Sequence, residues 1–132
     1  MRNKHPSTMV AAVVAAIVAM LVTAAPANAA THKNGVVESG EFGLYYLQNR
    51  GGYAFDLLIE DNNFSNDVFP GTQISANDNT ESYWNRDIYW WHVYTDASYG
   101  GSHGCLPSGH IGDASPTFQN TISSAKPSSS SC

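Results

Sequence analysis

Glu41–Leu47 alternates along the chain, with Phe42, Leu44 and Tyr46 on one side and Gly43, Tyr45 and Leu47 on the other. That two-residue period belongs to a pleated strand. The turn-forming run Gln48-Asn49-Arg50-Gly51-Gly52 follows, and Tyr53–Ile59 is predicted as the returning strand. Further on, Ile88–Tyr94 is dense in aromatic and β-branched residues, which suit a half-buried pleated surface. It is the clearest strand of the chain. Thr95–Ser98 is polar and turn-prone, and Gly101–Leu106 is predicted as the next strand. Thr72–Ser75 and Phe118–Ser124 read as shorter strands. Glu60–Gly71, Asn77–Tyr83 and Pro107–Ser115 read as loops. No helical apolar spacing appears after the N-terminal thirty residues. Short strands separated by turn signals predict an all-β sandwich or barrel.

Two of these segments repeat one another. GLYYLQNRGGY at Gly43–Tyr53 resembles the region from Val93 to Gly101, and in both a tyrosine precedes a glycine by seven positions, Tyr45 with Gly52 and Tyr94 with Gly101. A repeat of this kind carries more weight than any single residue, because each copy stands for one supersecondary unit.

The start of the chain has a different character. Arg2 and Lys4 are basic, Met9–Ala25 is apolar, and Ala27-Asn28-Ala29 is the small-x-small pattern that a signal peptidase accepts. The apolar run is shorter than the roughly 20 residues a membrane span needs. A signal peptide over residues 1–29 is therefore expected, with an uncleaved anchor as the alternative. It would be followed by a flexible lead-in over residues 30–40 and one domain over 41–132. Beyond residue 29, four basic residues (Lys33, Arg50, Arg86 and Lys126) face eleven acidic ones, a net charge of −7. Nucleic acid and anionic membrane both call for a positive face, so neither is an expected partner.

Both cysteines, Cys105 and Cys132, lie beyond the leader. In an oxidising exterior an even count reads most simply as one disulfide. It would tie down the Pro/Ser-rich tail Lys126–Ser131 and contribute about 3 kcal/mol on the chain-entropy account. The competing reading is a metal cluster of His103, Cys105 and His110. His92, on the aromatic strand, reads as a packed or hydrogen-bonded histidine.

On the doubled aromatic-x6-Gly pattern, the YWWHVY strand followed by YGG, and the closing FQN-x-ISS segment, the chain resembles the βγ-crystallin-like double Greek-key fold. More closely, it resembles the secreted actinobacterial metalloproteinase inhibitors of that type. The resemblance spans about residues 41–124. It implies a sandwich of two Greek-key motifs with Tyr45, Gly52, Tyr94 and Gly101 as signature residues. It further implies a secreted, monomeric, non-enzymatic protein whose partner is an extracellular protease. The characterised type has more cysteines than this chain, so its reactive loop does not carry over onto any residue; Asp61–Gly71 and Leu106–Ser115 are the candidate contact loops.

Calcium-binding members of the fold carry [Asn/Asp]-[Asn/Asp]-x-x-[Ser/Thr]-Ser late in each motif. Asp78–Tyr83 and Gln119–Ser124 each match with one departure, Tyr83 in the first and Gln119 in the second. By that resemblance Asp78, Asn79, Ser82, Asn120, Ser123 and Ser124 are candidate calcium ligands. Asp78 and Glu81 are the only carboxylates in the two stretches, which implies weak binding at best. Asp61–Asn66 resembles the pattern superficially and is read as a turn-rich loop.

Enzyme chemistry has no comparable support. Glu38 with Glu41, or Asp96 with Ser98 and His110, supply residue types that hydrolysis uses, without any motif. Trp84, Trp90, Trp91 and the tyrosines would suit a sugar-binding face, but core packing accounts for them more simply.

Overall fold

The computed structural model describes residues 29–132; the expected signal peptide lies almost entirely outside them. Seven strands form two antiparallel sheets. They are β1 (Phe42–Leu47), β2 (Gly51–Leu57), β3 (Ser82–Asn85), β4 (Trp90–Asp96), β5 (Gly100–Leu106), β6 (Ile111–Asp113) and β7 (Ser124–Ser128). The first sheet runs β2-β1-β3-β6 and the second β5-β4-β7. Inward residues of the two sheets meet in one core containing Phe42, Leu44, Phe55, Leu57, Trp91, Val93 and Ala125, closed by Phe64, Phe69, Ala76 and Ile122 from the connections. Phe42 and Trp91 stack across it at 4.9 Å.

The repeat read in the sequence is a repeat of backbone. Asn49-Arg50 and Ser98-Tyr99 hold consecutive left-handed conformations, and Gly52 (φ 71°) and Gly101 (φ 75°) follow in the same relative place. Each hairpin thus folds over its own sheet, and the pairing shifts register between Tyr45 and Leu47 and between Tyr94 and Asp96. The last strand of each motif returns beside the first. Ser82 comes opposite Tyr45 and Ser124 opposite Tyr94. Those serines do equivalent work. Ser82 Oγ donates to Leu47 O (2.6 Å) and accepts from Arg50 N (2.9 Å). Ser124 Oγ donates to Asp96 O (2.7 Å) and accepts from Tyr99 N (3.1 Å).

Several expected boundaries move. The aromatic strand starts at Trp90, not Ile88, because Asp87–Tyr89 bends outward. Thr72–Ser75 is no strand; its one ladder contact is the bridge between Val68 and Ser75. Asn77–Tyr83 is not loop throughout, since its end opens β3. Phe118–Ser124 is not the last strand: residues 118–121 form a turn, with Asn120 in a left-handed conformation, and the strand begins only at Ser124 and runs onto the tail. The Pro/Ser-rich tail Lys126–Ser131 contributes most of β7, an edge strand, where Pro127 opposite Trp91 costs no central ladder bond.

Within the expected lead-in over residues 30–40, residues 34–37 are hydrogen-bonded to the domain. Asn34 N and Gly35 N both donate to the buried Asp56 carboxylate (2.9 and 2.6 Å), and Arg86 Nη1 donates to Val37 O (2.7 Å). Val37 packs with Tyr45 and Ala54 on the outer side of the first sheet.

Replacing either signature glycine by alanine forces a side chain into left-handed backbone, at about 1–2 kcal/mol. A Cβ on Gly101 would also collide with Thr95 Oγ1 and approach Asp96 Cγ to 2.9 Å, whereas on Gly52 its nearest neighbour is Leu47 Cγ at 3.2 Å. Denaturant unfolding should therefore show a larger loss for Gly101→Ala than for Gly52→Ala. Equal losses would remove the steric part of the argument.

Candidate functional site

Asn85 ends β3 fully buried, and its amide organises the turn that follows. Its Nδ2 donates to Tyr89 O (2.9 Å) and Leu106 O (3.0 Å), while its Oδ1 accepts from Asp87 N (3.0 Å). Asp87 completes the arrangement. Its carboxylate accepts from Ile88 N (2.7 Å) and Trp91 Nε1 (2.9 Å), and its carbonyl accepts from Ser108 Oγ (2.5 Å). Arg86 exchanges main-chain bonds with Gly40 and Glu41. Such a framework leaves the backbone of Arg86–Tyr89 little freedom. At its crest the Ile88 side chain is 80% exposed and Tyr89 46% exposed. The Ile88 side chain is thus held out in solvent on a hydrogen-bonded loop.

The two loops favoured from sequence are built differently. Asp61–Gly71 inserts Phe64 and Phe69 fully into the core, and Leu106–Ser115 is stiffened by β6 pairing with β3. The Asn-x-Asp pattern at Asn85–Asp87 was the available signal for the third loop, since such side chains commonly bond nearby backbone.

The candidate calcium ligands come together in reciprocal pairs. Ser123 Oγ donates to Asp78 Oδ1 (2.9 Å), and Asn120 Nδ2 donates to Glu81 Oε1 (3.2 Å). Asp78 N donates to Ile122 O, and Asn120 N to Thr80 O. Asp78 and Asn120 are both left-handed. With Ser82 equivalent to Ser124, the first stretch in register is Asn77–Ser82, one residue earlier than the frame read from sequence, and Glu81 takes the place of Ser123. Ser82 and Ser124 spend their hydroxyls on the hairpins, and Asn79 Nδ2 donates to Ser75 O. Each pair thus offers one carboxylate and a few neutral oxygens.

The remaining candidates separate. Lys33 Nζ lies 2.6 Å from Asp61 Oδ2 and 2.7 Å from Asp67 Oδ1. Burial disfavours the Asp61 carboxylate, but Lys33 and the Asn63 N–H outweigh it and lower its pKa; burial together with the Asp61 charge raises that of Asp67. Cys105 and Cys132 are joined, with Cα atoms 6.1 Å apart. His110 is elsewhere, 2.9 Å from the Tyr83 hydroxyl, so it forms no cluster with His103 and Cys105 and no triad with Asp96 and Ser98. Trp91 is buried, while Trp84 lies under Arg50 and Arg86 at 5.1 and 4.6 Å, so neither offers a free ring face to a sugar.

Glu41 does not face Glu38 across a cleft. It is fully buried, its Oε2 accepts from Glu38 N (2.8 Å), and its Oε1 has no partner. Burial, helped by the charges of Asp56 and Glu38, pushes its carboxyl from 4.5 up to about 7. A raised folded-state value means that the fold favours the proton. Stability from this group is therefore present below pH 4.5 and lost as pH rises to about 7. Measured against Glu41→Gln, wild-type stability should fall by about 3 kcal/mol across that window. A difference that stays constant with pH would contradict the assignment.

Two motifs, of three and four strands, each with a folded-over hairpin and facing its copy across a shared core, define a βγ-crystallin-type domain. Solved structures agree. A domain that bears on the evolution of the eye-lens βγ-crystallin domain fold matches with a TM-score of 0.58 at 17% identity, covering 76% of this chain and 92% of that one. A βγ-crystallin domain from Flavobacterium johnsoniae matches at 0.54 with 24% identity, covering 64% and 90%, and a βγ-crystallin from Ciona intestinalis at 0.54 with 20%, covering 67% and 100%. No curated protein matches the chain in sequence. Residues 30–106 match peptidase inhibitor family I36, and the chain belongs to that family.

Proposed function

We propose that this protein is secreted and inhibits an extracellular protease stoichiometrically by presenting the Arg86–Tyr89 loop to the enzyme's cleft. One observation carries the reading: Ile88 stands 80% exposed on a backbone that Asn85 and Asp87 fix by side-chain bonds. A loop already fixed in its bound form loses little conformational entropy on docking. Both its flanks are strands of the sandwich, so a cut chain would stay in place. Membership of the inhibitor family supports a protease partner in general, and a thermolysin-like metalloprotease is the first target to try.

Titration of such an enzyme should show tight, stoichiometric loss of activity. Ile88→Asp, at an exposed position, should leave the fold intact and weaken inhibition by about 2 kcal/mol or more, roughly thirtyfold. Unchanged inhibition by that variant would exclude the loop, and hydrolysis of the protein without inhibition would exclude the function.

The reciprocal Asp78–Ser123 and Glu81–Asn120 pairs favour a second reading, a calcium-stabilised binding module. Those residues would hold the cation, which would cross-link the two motifs. With one carboxylate per pair, a dissociation constant of about 10⁻⁴–10⁻³ M is expected. Melting in calcium at 100 times that constant should raise stability by about 2.7 kcal/mol over chelator. An unshifted melt would dismiss the site.

A further inference from the structure

The outward face of the second sheet gathers a set of ligating atoms that neither reading above uses. His92 on β4 lies opposite Cys105 on β5, with His103 two residues before Cys105 on the same face. Cys132 reaches them from beyond β7. The ligating atoms of all four residues lie within 4.8 Å of one another. His103 Nε2 is 2.7 Å from His92 Nδ1 and 3.5 Å from Cys105 Sγ, and Cys105 Sγ is 3.9 Å from His92 Nδ1. A tetrahedral zinc shell, with bonds of about 2.0–2.3 Å, has ligand-to-ligand edges of about 3.3–3.8 Å, so shifts of about an ångström would close it. His103 and Cys132 are exposed, so those shifts meet no core packing.

The surroundings suit this use. His92 Nε2 lies 3.3 Å from Ser130 O, the outer hydrogen bond that fixes a ligating imidazole and turns its Nδ1 lone pair inward. The His103 ring is stacked parallel to Tyr94, 4.8 Å away, which orients its Nε2 toward the sulfurs. Lys126, with its ammonium 5.7 Å from the centre of the same Tyr94 ring, is the nearby cation. Two thiolates with a divalent metal make a neutral centre, so Lys126 does not oppose it.

We propose that His92, His103, Cys105 and Cys132 form a redox-gated Cys2His2 site for zinc or a similar borderline-soft divalent cation, with metal and disulfide as alternative closures of one staple. In the oxidised protein both sulfurs are engaged in the Cys105–Cys132 bond and neither is a thiolate. A dithiol reductant gives two electrons to that bond, becomes a cyclic disulfide, and leaves two thiols. The cation then binds both sulfurs as two protons depart. A disulfide oxidant reverses the process: it takes the two electrons and two protons to become two thiols, the protein disulfide re-forms, and the cation leaves. Either closure holds the segment after β7 against β5. The preference for two soft sulfurs and two imidazoles excludes calcium and magnesium as occupants.

The test is cobalt titration of the purified protein, reduced with a phosphine, with the oxidised protein alongside. Reduced protein should take up cobalt stoichiometrically, show intense tetrahedral bands with thiolate charge transfer, and give the metal up to zinc. Oxidised protein should show none of these bands. His103→Ala and Cys132→Ser, both at exposed positions, should each weaken cobalt binding at least about tenfold while the near-ultraviolet tryptophan signal stays native. Binding that is absent in the reduced protein, present without thiolate bands, or undiminished in His103→Ala would overturn the proposal. A reduced protein that loses its native signal and fails to regain it with cobalt would do the same.

Discussion

Each Greek-key motif depends on one serine hydroxyl that bonds both ends of a folded hairpin. Ser82 joins Leu47 O to Arg50 N, and Ser124 joins Asp96 O to Tyr99 N. The hairpins need this support, because each holds two consecutive non-glycine residues in left-handed backbone, a conformation disfavoured by about 1–2 kcal/mol apiece. The hydroxyl comes from the strand that returns beside β1 or β4, so the hairpin is stable only once its motif has closed. Local strain and long-range pairing are thereby made one cooperative event.

Closure also places the groups between motifs. With Ser82 and Ser124 fixed, the residues before them are brought to the opposite motif, Asp78 to Ser123 and Asn120 to Glu81. The connection from β3 to β4 then has only a few residues in which to pass from one sheet to the other. Asn85 and Asp87 satisfy its backbone from within, Arg86 ties it to Val37, and Ile88 is left no inward direction. The exposed crest is a consequence of sheet crossing as much as of any local preference. Glu41 lies buried at the start of β1 beside this crossing, where its carbonyl accepts from Arg86 N.

The second sheet is the more polar on its outer side. Its edge strands β5 and β7 are short of covering residues, and histidines, cysteines and Lys126 occupy the face where the first sheet has Val37, Tyr45, Ala54 and Trp84. Among the described residues, the N-terminal segment that shields the first sheet has no counterpart on the second. The link between Cys105 and Cys132 is what fastens the end of the chain there.

The all-β architecture, the doubled motif and the disulfide were all legible in the residues. Alternation, turn composition and a Tyr-to-Gly spacing are local properties, and two cysteines admit only one pairing. The tertiary structure decided the rest. It moved the last strand from Phe118–Ser124 to Ser124–Ser128, since a proline-containing tail becomes a strand only when an edge is there to receive it. It shifted the frame at Asp78 by one residue, because register is set by the partner strand. It also replaced His110 with His92 and Cys132 beside His103 and Cys105, because neighbours across a sheet leave no mark in sequence spacing. The sequence by itself determined the doubled aromatic-x6-Gly motif, because its tyrosine and glycine answer to a turn within one hairpin. Which side chains the two copies bring together, and which one they leave exposed, was decided only when the sheets packed.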